Sequence, residues 1–258
     1  NIALDILFVA VIPFGIGGAA LATVIAQYIS GLGISIYVLI KCCAFLPAKS
    51  DRHFSMDILK EILNLSSLTC LQQSVMNFGI LMVQGLVNSF GSVVMAAFAA
   101  AVKIDTFSYL PVQDFGNAYS TFVAQNFGAK KYDRIRSGTK TAFFISGIFS
   151  IIISVSVFMF ASPLMKIFID ASETQVIAVG VHYLRIEGAF YIGIGFLFLL
   201  YGYYRAIKKA GMSVILTVIS LGTRVLLAYI LSAIDGIGVT GIWLAIPIGW
   251  VLADVTGL

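Results

Sequence analysis

Three polar residues near the start of the chain have the types and the spacing of a small cation or proton site. Asn1 and Asp5 are four residues apart, so a helix would place them on one face, and Thr23 follows a Pro-Phe-Gly break at 13–15. With helices on both sides of this break, Asp5 lies roughly 12 Å and Thr23 roughly 9 Å from the turn. Oxygen ligands of this kind suit Na⁺, and the carboxylate can bind a proton instead. The alternative is a buried Asp5 that only fixes helix packing.

The elements that must position these residues are long apolar segments, which recur along the whole chain. The sequence is 60% hydrophobic and 11% charged, whereas a soluble globular chain carries about 25% charged residues. Because about 20 apolar residues cross the hydrocarbon core as a helix, we predict an all-α, polytopic transmembrane bundle in the inner or plasma membrane. The predicted helices are a half-helix at 1–12 and spans at about 17–41, 61–88, 93–125, 138–162, 176–204, 211–232 and 239 to the end.

Basic residues cluster in alternate connectors between these spans. Twelve of the sixteen lysines and arginines fall in the connectors on one side, whereas the connectors on the other side carry only Lys166. The positive-inside rule makes the first side cytoplasmic. Because the basic residues mark helix ends and form no basic face, we expect the lipid bilayer as a partner and no nucleic acid.

An internal repeat predicts two lobes. Residues 1–27 align without gaps with residues 224–250, with seven identical positions and with turn glycines in register. Six predicted helices separate the copies, so both point the same way through the bilayer, as in transporters whose halves are related by an axis along the membrane normal. The counterparts of the first polar set are Arg224, Ala228 and Ile246, so that set belongs to one lobe.

This repeat predicts the domain organisation. We expect the chain to begin within a helix, with 1–45 forming the last one and a half helices of an N-terminal six-helix lobe. Residues 61–258 form a nearly complete C-terminal six-helix lobe. A cytoplasmic connector at 46–60 joins the lobes, and an apolar residue at every fourth position there favours a short interfacial helix: Phe54, Ile58 and Ile62.

Other polar residues within the spans are candidates for a substrate cavity, because polar groups are costly in a membrane. Glu187 lies about ten residues into its span, near the midplane, and Tyr191 follows one turn later. This carboxylate suits a cationic substrate or a proton. Four amides recur on an earlier span, where they either line a cavity or form hydrogen bonds between helices: Gln73, Asn77, Gln84 and Asn88.

Lys103 and Asp114 form a possible salt bridge on one span. They are eleven residues apart, which is three helical turns on one face, and Pro111 between them should kink the helix. Such a pair is either structural or a gate. Asp105 is expected to point away from this face.

The sequence carries no catalytic constellation. His53 and His182 fall in different membrane-edge regions, and there is no phosphate-binding loop, zinc-protease motif or nucleophile elbow. We therefore expect no enzymatic activity and no cofactor beyond a coupling ion, which is H⁺ or Na⁺, with Na⁺ binding at Asp5.

Several motifs, taken in order, resemble the multidrug and toxic compound extrusion (MATE) family of efflux transporters. They are Asn1-Ile-Ala-Leu-Asp5 with Gly18-Ala-Ala-Leu-Ala-Thr23, Gln72-Gln73 through Gly91, Phe122-Val-Ala-Gln-Asn-Phe-Gly-Ala129 with Asp133-Arg134, Gly202-Tyr-Tyr-Arg205 and Gly238-Val-Thr-Gly-Ile-Trp243. The resemblance covers essentially the whole chain, from the family's fifth helix to its twelfth.

The resemblance implies antiport of cationic, amphipathic drugs by alternating access between two lobes, in a protein that is monomeric when full length. Some members have a first-lobe cation or proton site with an Asn and an Asp on the fifth helix and a Thr on the sixth, which match Asn1, Asp5 and Thr23. Others use a second-lobe Glu on the seventh helix and an Asp on the tenth. Here position 76 is Met and the region near Ile194 is apolar, so second-lobe coupling of that kind is not expected.

Two other function classes remain as alternatives. A flippase for lipid-linked oligosaccharides, of the related two-lobed kind, should carry a strongly basic central cavity, and the few basic residues inside the spans argue against it. A channel or scaffold is disfavoured by the repeat, which is a transporter design.

Overall fold

The computed structural model describes residues 1–42 and 54–258, and helices account for nearly all of them. The elements in chain order are α1 (Ile2–Asp5), a π-helix (Ile6–Val11), α2 (Gly15–Lys41), α3 (Met56–Asn88), α4 (Ser92–Gly128), α5 (Tyr132–Phe168), α6 (Thr174–Gly188), α7 (Tyr191–Ala206), α8 (Ala210–Ser232) and α9 (Val239–Gly257). A helix satisfies its backbone hydrogen bonds internally, and apolar segments in a bilayer require this.

Six of these helices are long and apolar enough to cross a membrane, namely α2, α3, α4, α5, α8 and α9. The pair α6 and α7 makes a seventh span if it crosses as one broken helix. The prediction of an all-α membrane protein with several spans is confirmed.

The predicted span at 176–204 is two helices rather than one. The chain leaves the helical conformation at Phe190, and the axes of α6 and α7 differ by 53°. The apolar run continues through the break without a proline, so hydrophobicity alone gave no signal there. The break places Glu187 at the end of one helix and Tyr191 at the start of the next.

Two other boundaries differ from the predictions. Helix α3 begins at Met56, so Ile58 and Ile62 belong to a long span and not to a separate short helix; the predicted connector from 46 to 53 lies outside the described residues. Helix α5 continues through Pro163 to Phe168, because neighbouring helices can compensate for the missing N–H of a proline in a membrane span.

The chain divides into two compact units, and the first unit is Asn1–Asp57. Its described part is a hairpin in which α1 and the π-helix pack against α2. The hairpin is closed by the backbone N–H of Phe14, which donates to the carbonyl oxygen of Phe8 (3.1 Å). A Cβ at Gly18 would lie 2.5 Å from the same oxygen, so the two arms approach this closely only with glycine there.

The second unit is Ile58–Leu258, and α4 lies at its centre against α5, α6 and α7. An aromatic cluster at one end of the core joins three helices: the ring of Trp243 lies 5.4 Å from that of Phe98 and 4.8 Å from that of Tyr183. Helices α4 and α7 cross at Gly202, where a Cβ would lie 2.7 Å from the backbone oxygen of Gly116. This close packing of α4 on α7 brings Asp105 of α4 to the start of α7.

Candidate functional site

The first unit brings two members of the predicted first-lobe set together. The amide nitrogen of Asn1 donates to the hydroxyl oxygen of Thr23 (3.4 Å), and this hydroxyl donates to the backbone oxygen of Ala19 (3.1 Å). Both side chains are exposed and line a cleft of about 560 Å³ with Gln27 and Ser30. The cleft therefore offers two amides and two hydroxyls beside the middle of α2.

Asp5, the third member of the set, is half-buried and does not line the cleft. Its side chain makes no hydrogen bond within residues 1–42 and 54–258. It is the last residue of α1, and the π-helix begins immediately after it. Single π-turns inside helices occur frequently at functional sites, because they redirect the side chains that follow.

The second unit contains a cluster of two buried acids, a buried tyrosine and a half-buried arginine, drawn from four helices. Asp105 lies on α4 and Glu187 ends α6, with 3% and 5% of their surfaces exposed. The hydroxyl of Tyr191, at the start of α7, donates to Oδ1 of Asp105. The carboxyl groups of Asp105 and Glu187 are neighbours, and the guanidinium of Arg224 on α8 is near enough to interact electrostatically with both without forming an ion pair.

The polar atoms of this cluster are incompletely satisfied. Oδ2 of Asp105, Oε2 of Glu187 and Nε of Arg224 are buried and find no hydrogen-bond partner among the described residues. Two ionised carboxylates can only accept hydrogen bonds, so contact between them requires a proton on one of the pair. Two carboxyl groups and one guanidinium leave one negative charge when both acids are ionised. One proton or one monovalent cation makes the cluster neutral.

A cavity of about 210 Å³ opens onto the cluster. Aromatic side chains form much of its wall, and Gln84 and Arg224 add polar groups. Pockets that enclose drug-sized ligands are usually about 300 Å³ or more, so this cavity fits a proton, water or a small cation better than a drug. The aromatic members are Phe98, Tyr109, Tyr183, Phe198, Tyr201 and Trp250.

The structure separates the amides predicted to line a substrate cavity. Gln84 lines the cavity next to Glu187, whereas Gln73, Asn77 and Asn88 are exposed on α3 and do not. Gln72, the neighbour of Gln73, is the buried amide of this helix, with 6% of its surface exposed. The four-residue spacing of the amides did not reveal which face of α3 packs inward.

The possible salt bridge between Lys103 and Asp114 does not form. Three turns of helix separate them by roughly 16 Å along the axis, and the ammonium of Lys103 lies 6.0 Å from the ring centre of Phe168. In the part of the chain that the structure describes, the one ion pair is exposed, between Lys208 and Glu61 (2.5 Å). An exposed pair of this kind contributes about 0–1 kcal/mol.

The sequence reasoning missed the second-lobe acid pair. Asp105 was set aside because it points away from Lys103 and Asp114, and this direction is the one that buries it against Glu187 and Arg224. The expectation concerned position 76 and the region near Ile194, where the sequence has no acid, whereas the pair comes from other positions, Asp105 on α4 and Glu187 on α6. The available signal was the charge itself, because an ionisable residue inside a membrane span is a functional candidate by default.

Comparison with known proteins gives a family match and related sequences. The family model described as MatE matches residues 68–230. A "Probable multidrug resistance protein NorM" from Thermotoga maritima is 25% identical over 89% of this chain and 49% of its own length. A "Probable multidrug resistance protein YpnP" from Bacillus subtilis is 30% identical over 85% of this chain and 48% of its own length. The chain thus spans about half the length of these relatives.

Solved structures share the fold over the whole chain. A MATE structure in complex with MaL6 superposes with a TM-score of 0.92 at 23% identity, covering 100% of this chain and 58% of that one. A MOP superfamily transporter from Pyrococcus furiosus gives the same values. The helical arrangement of both units therefore has solved counterparts.

Proposed function

This chain belongs to the MatE family of membrane transporters, and we propose that the full-length protein exports cationic, amphipathic compounds in exchange for H⁺ or Na⁺. The multi-pass helical fold places the protein in the cell membrane. Relatives over most of the chain bear the name multidrug resistance protein. These relationships support small drug-like substrates, whereas the coupling ion is argued from the site itself.

The observation that carries the proposal is the buried acid pair of Asp105 and Glu187 beside Arg224. A charged side chain at the centre of a membrane costs about 3 kcal/mol on insertion scales. Here three such groups meet, and both acids keep an oxygen without a partner. A cluster in which every polar atom had a hydrogen-bond partner would be purely structural. Carboxylate oxygens without a partner can instead accept an incoming proton or cation.

Coupling follows from the charge of this cluster. Asp105, Glu187 and Arg224 lie on α4, α6 and α8, so adding or removing one positive charge changes the forces among three spans and the start of α7. A ligand shifts a conformational equilibrium only by its difference in affinity between the two states. An ion that binds one lobe arrangement more tightly would therefore drive release of a drug from the other side of the membrane.

The first-lobe set of Asn1, Asp5 and Thr23 is proposed as a second ion-binding position. Its support is the contact between the Asn1 amide and the Thr23 hydroxyl, together with the π-turn that follows Asp5. The flippase alternative is not favoured, because the second-unit cavity holds two acids and one arginine and is not strongly basic.

The test is drug efflux from vesicles that contain the full-length protein, with Na⁺ and pH gradients imposed separately. We expect one gradient to drive efflux and Glu187→Gln to lose most of it. Asp114→Asn is the matched control, because Asp114 is an exposed acid on the helix that carries Asp105. Efflux that is independent of both gradients, or equal in Glu187→Gln and the parent, would contradict the proposal.

A further inference from the structure

A groove between α4 and α5 shares no residue with the cavity of the acid pair. It measures about 470 Å³. Phe115 and Phe122 of α4 lie in one wall, and Arg134 and Ile145 of α5 lie in the other. A Cβ at Gly138 of α5 would overlap the ring of Phe122, so glycine at this position lets the ring lie close against α5. The groove is therefore built by the packing of these two helices.

The groove lies at the cytoplasmic end of both helices. The connector between α4 and α5 carries basic residues and belongs to the cytoplasmic set. Helix α5 has 37 residues. When it is centred in the bilayer its length is roughly 55 Å, so about 8 residues at each end extend beyond a hydrocarbon core of about 30 Å. Arg134 and Ser137 therefore lie at the level of the inner-leaflet headgroups, and Ile145 lies at the level of the acyl chains.

The positive charge of Arg134 is not compensated within the groove. Its side chain is exposed and forms no ion pair within residues 1–42 and 54–258. The described residues that line the groove include no acid, and Asp133, which precedes Arg134, lies outside the lining. Basic residues near the inner surface of a membrane attract its negatively charged lipids. A guanidinium binds a phosphate through two parallel hydrogen bonds, and the hydroxyl of Ser137, three residues later on the same face, can add a third.

Exposed apolar side chains continue the groove toward the membrane midplane. On α5, Ile148 and Ile152 follow Ile145 on the same face, and both are exposed. On α4, the exposed Phe107 is eleven residues before Ala118 of the groove, which is three helical turns. Hydrocarbon chains cover such surfaces at a lower free energy than water does. A cation at headgroup depth and an apolar surface at chain depth together match the amphipathic structure of a phospholipid.

We propose that this groove binds one anionic phospholipid of the inner leaflet. The phosphate lies beside the guanidinium of Arg134 and the hydroxyl of Ser137, and one acyl chain runs along Phe115 and Ile145 toward the midplane. A cationic compound fits less well, because the one charged side chain in the described wall of the groove is itself cationic. Because this site contacts a lipid and none of the buried acids, it does not depend on the antiport proposed above.

The experiment uses tryptophan fluorescence in the full-length protein, reconstituted in vesicles of phosphatidylglycerol and phosphatidylcholine. Ile145→Trp places a reporter in the groove, and Phe144→Trp places one at the same depth on the exposed surface of α5 outside the groove. Ile148→Trp, on the same face as Ile145, is a second reporter should Ile145→Trp not fold. Brominated acyl chains quench a tryptophan that they contact. The fluorescence of the parent is subtracted, and the bromine is carried first by one lipid and then by the other.

We expect brominated phosphatidylglycerol to quench Ile145→Trp with a preference of about 5-fold over brominated phosphatidylcholine at equal mole fraction, which corresponds to one basic residue near a lipid surface. Phe144→Trp should show little preference. Adding Arg134→Ser to Ile145→Trp should remove the preference. Arg136→Ser is the matched control, because it removes an equal charge two residues away and outside the groove, and it should leave the preference unchanged.

Three results would overturn the proposal. An equal preference at the two reporters, or an equal loss with Arg134→Ser and Arg136→Ser, would mean that the general positive charge of the cytoplasmic surface attracts phosphatidylglycerol. Equal quenching of Ile145→Trp by both lipids would mean that the groove does not select an anionic headgroup. If neither lipid quenched Ile145→Trp while both quenched Phe144→Trp, another part of the protein or a second copy would cover the groove.

Discussion

The two polar sets of this molecule differ in how they are built. Asn1 and Thr23 meet across a local hairpin, and both are exposed. Asp105, Glu187 and Arg224 come from helices far apart in the sequence and meet inside the second unit. The same charges interact far more strongly away from water, because the effective dielectric constant is lower. Burial therefore makes the second set more sensitive to one added proton than the first.

A second difference is how far the polar atoms of each set are satisfied by hydrogen bonds. The first set pairs an amide with a hydroxyl and leaves Asp5 without a side-chain hydrogen bond among the described residues. In the second set a tyrosine hydroxyl donates to one acid and a guanidinium lies near both, and each acid still has one carboxylate oxygen without a hydrogen-bond partner among the described residues. This contrast identifies the second unit as the place where substitutions should have the larger effect.

The largest effect should come from removing both acids of the second set. Asp105→Asn with Glu187→Gln keeps the size of each side chain and removes both proton-binding carboxylates. We expect ion-driven efflux to fall by about 100-fold or more, with no rescue at any pH between 6 and 8. If the double variant retained a tenth of the parent efflux rate, substitutions in the second set would have no larger effect than those expected in the first.

Arg224→Met should have the next largest effect. It leaves the two buried acids without the positive charge nearest to them, and buried charge without a compensating charge is destabilising. The thermal unfolding midpoint of the purified full-length protein should fall, and efflux should decrease with it. An unchanged thermal unfolding midpoint in Arg224→Met would mean that the guanidinium does not compensate the negative charge of the two acids.

Asp5→Asn should reduce ion-driven efflux by less than the double variant, roughly 10-fold or less. Asp5 is half-buried, so solvent weakens its interaction with an ion relative to that of the buried pair. The measurement is the efflux rate in vesicles, with Asp114→Asn as the exposed control. Unchanged coupled efflux would exclude the first-lobe site, and complete loss would reverse the ranking of the two sets.

Tyr191→Phe should have the smallest effect of the four. It removes one hydroxyl that donates to Asp105, and a hydrogen bond to a charged group contributes about 1.5–3 kcal/mol. Because Glu187 and Arg224 remain, we expect a few-fold decrease in efflux and a displaced pH optimum. An efflux-against-pH profile that overlays the parent would show that this hydroxyl does not position Asp105.

The features that the sequence predicted are those determined locally. Most spans are continuous apolar runs, so the type and approximate position of the elements follow from hydrophobicity, and the positive connectors fix their direction. Glu187 and Tyr191 were found because a carboxylate and a phenol one turn apart inside a span are conspicuous. The Pro-Phe-Gly break likewise predicted the hairpin that brings Asn1 to Thr23.

The features that it did not predict depend on tertiary packing. Asp105 and Tyr191 are 86 residues apart and meet because α4 and α7 cross closely at Gly202. The break at Phe190 carries no proline, and the apolar run passes through it. Arg224 was recognised only as a repeat counterpart of Asn1, because nothing local to α8 shows that it packs near two acids on other helices.

The most direct measurement is the number of protons released when a cationic drug binds to the purified full-length protein. It is obtained by titration calorimetry in buffers of different ionisation enthalpy. Because one positive charge neutralises the cluster, we expect about one proton per bound drug in the parent and in Asp5→Asn. The double variant Asp105→Asn with Glu187→Gln should release none. Equal release by the double variant and the parent would contradict the claim that the buried acid pair holds the coupling ion.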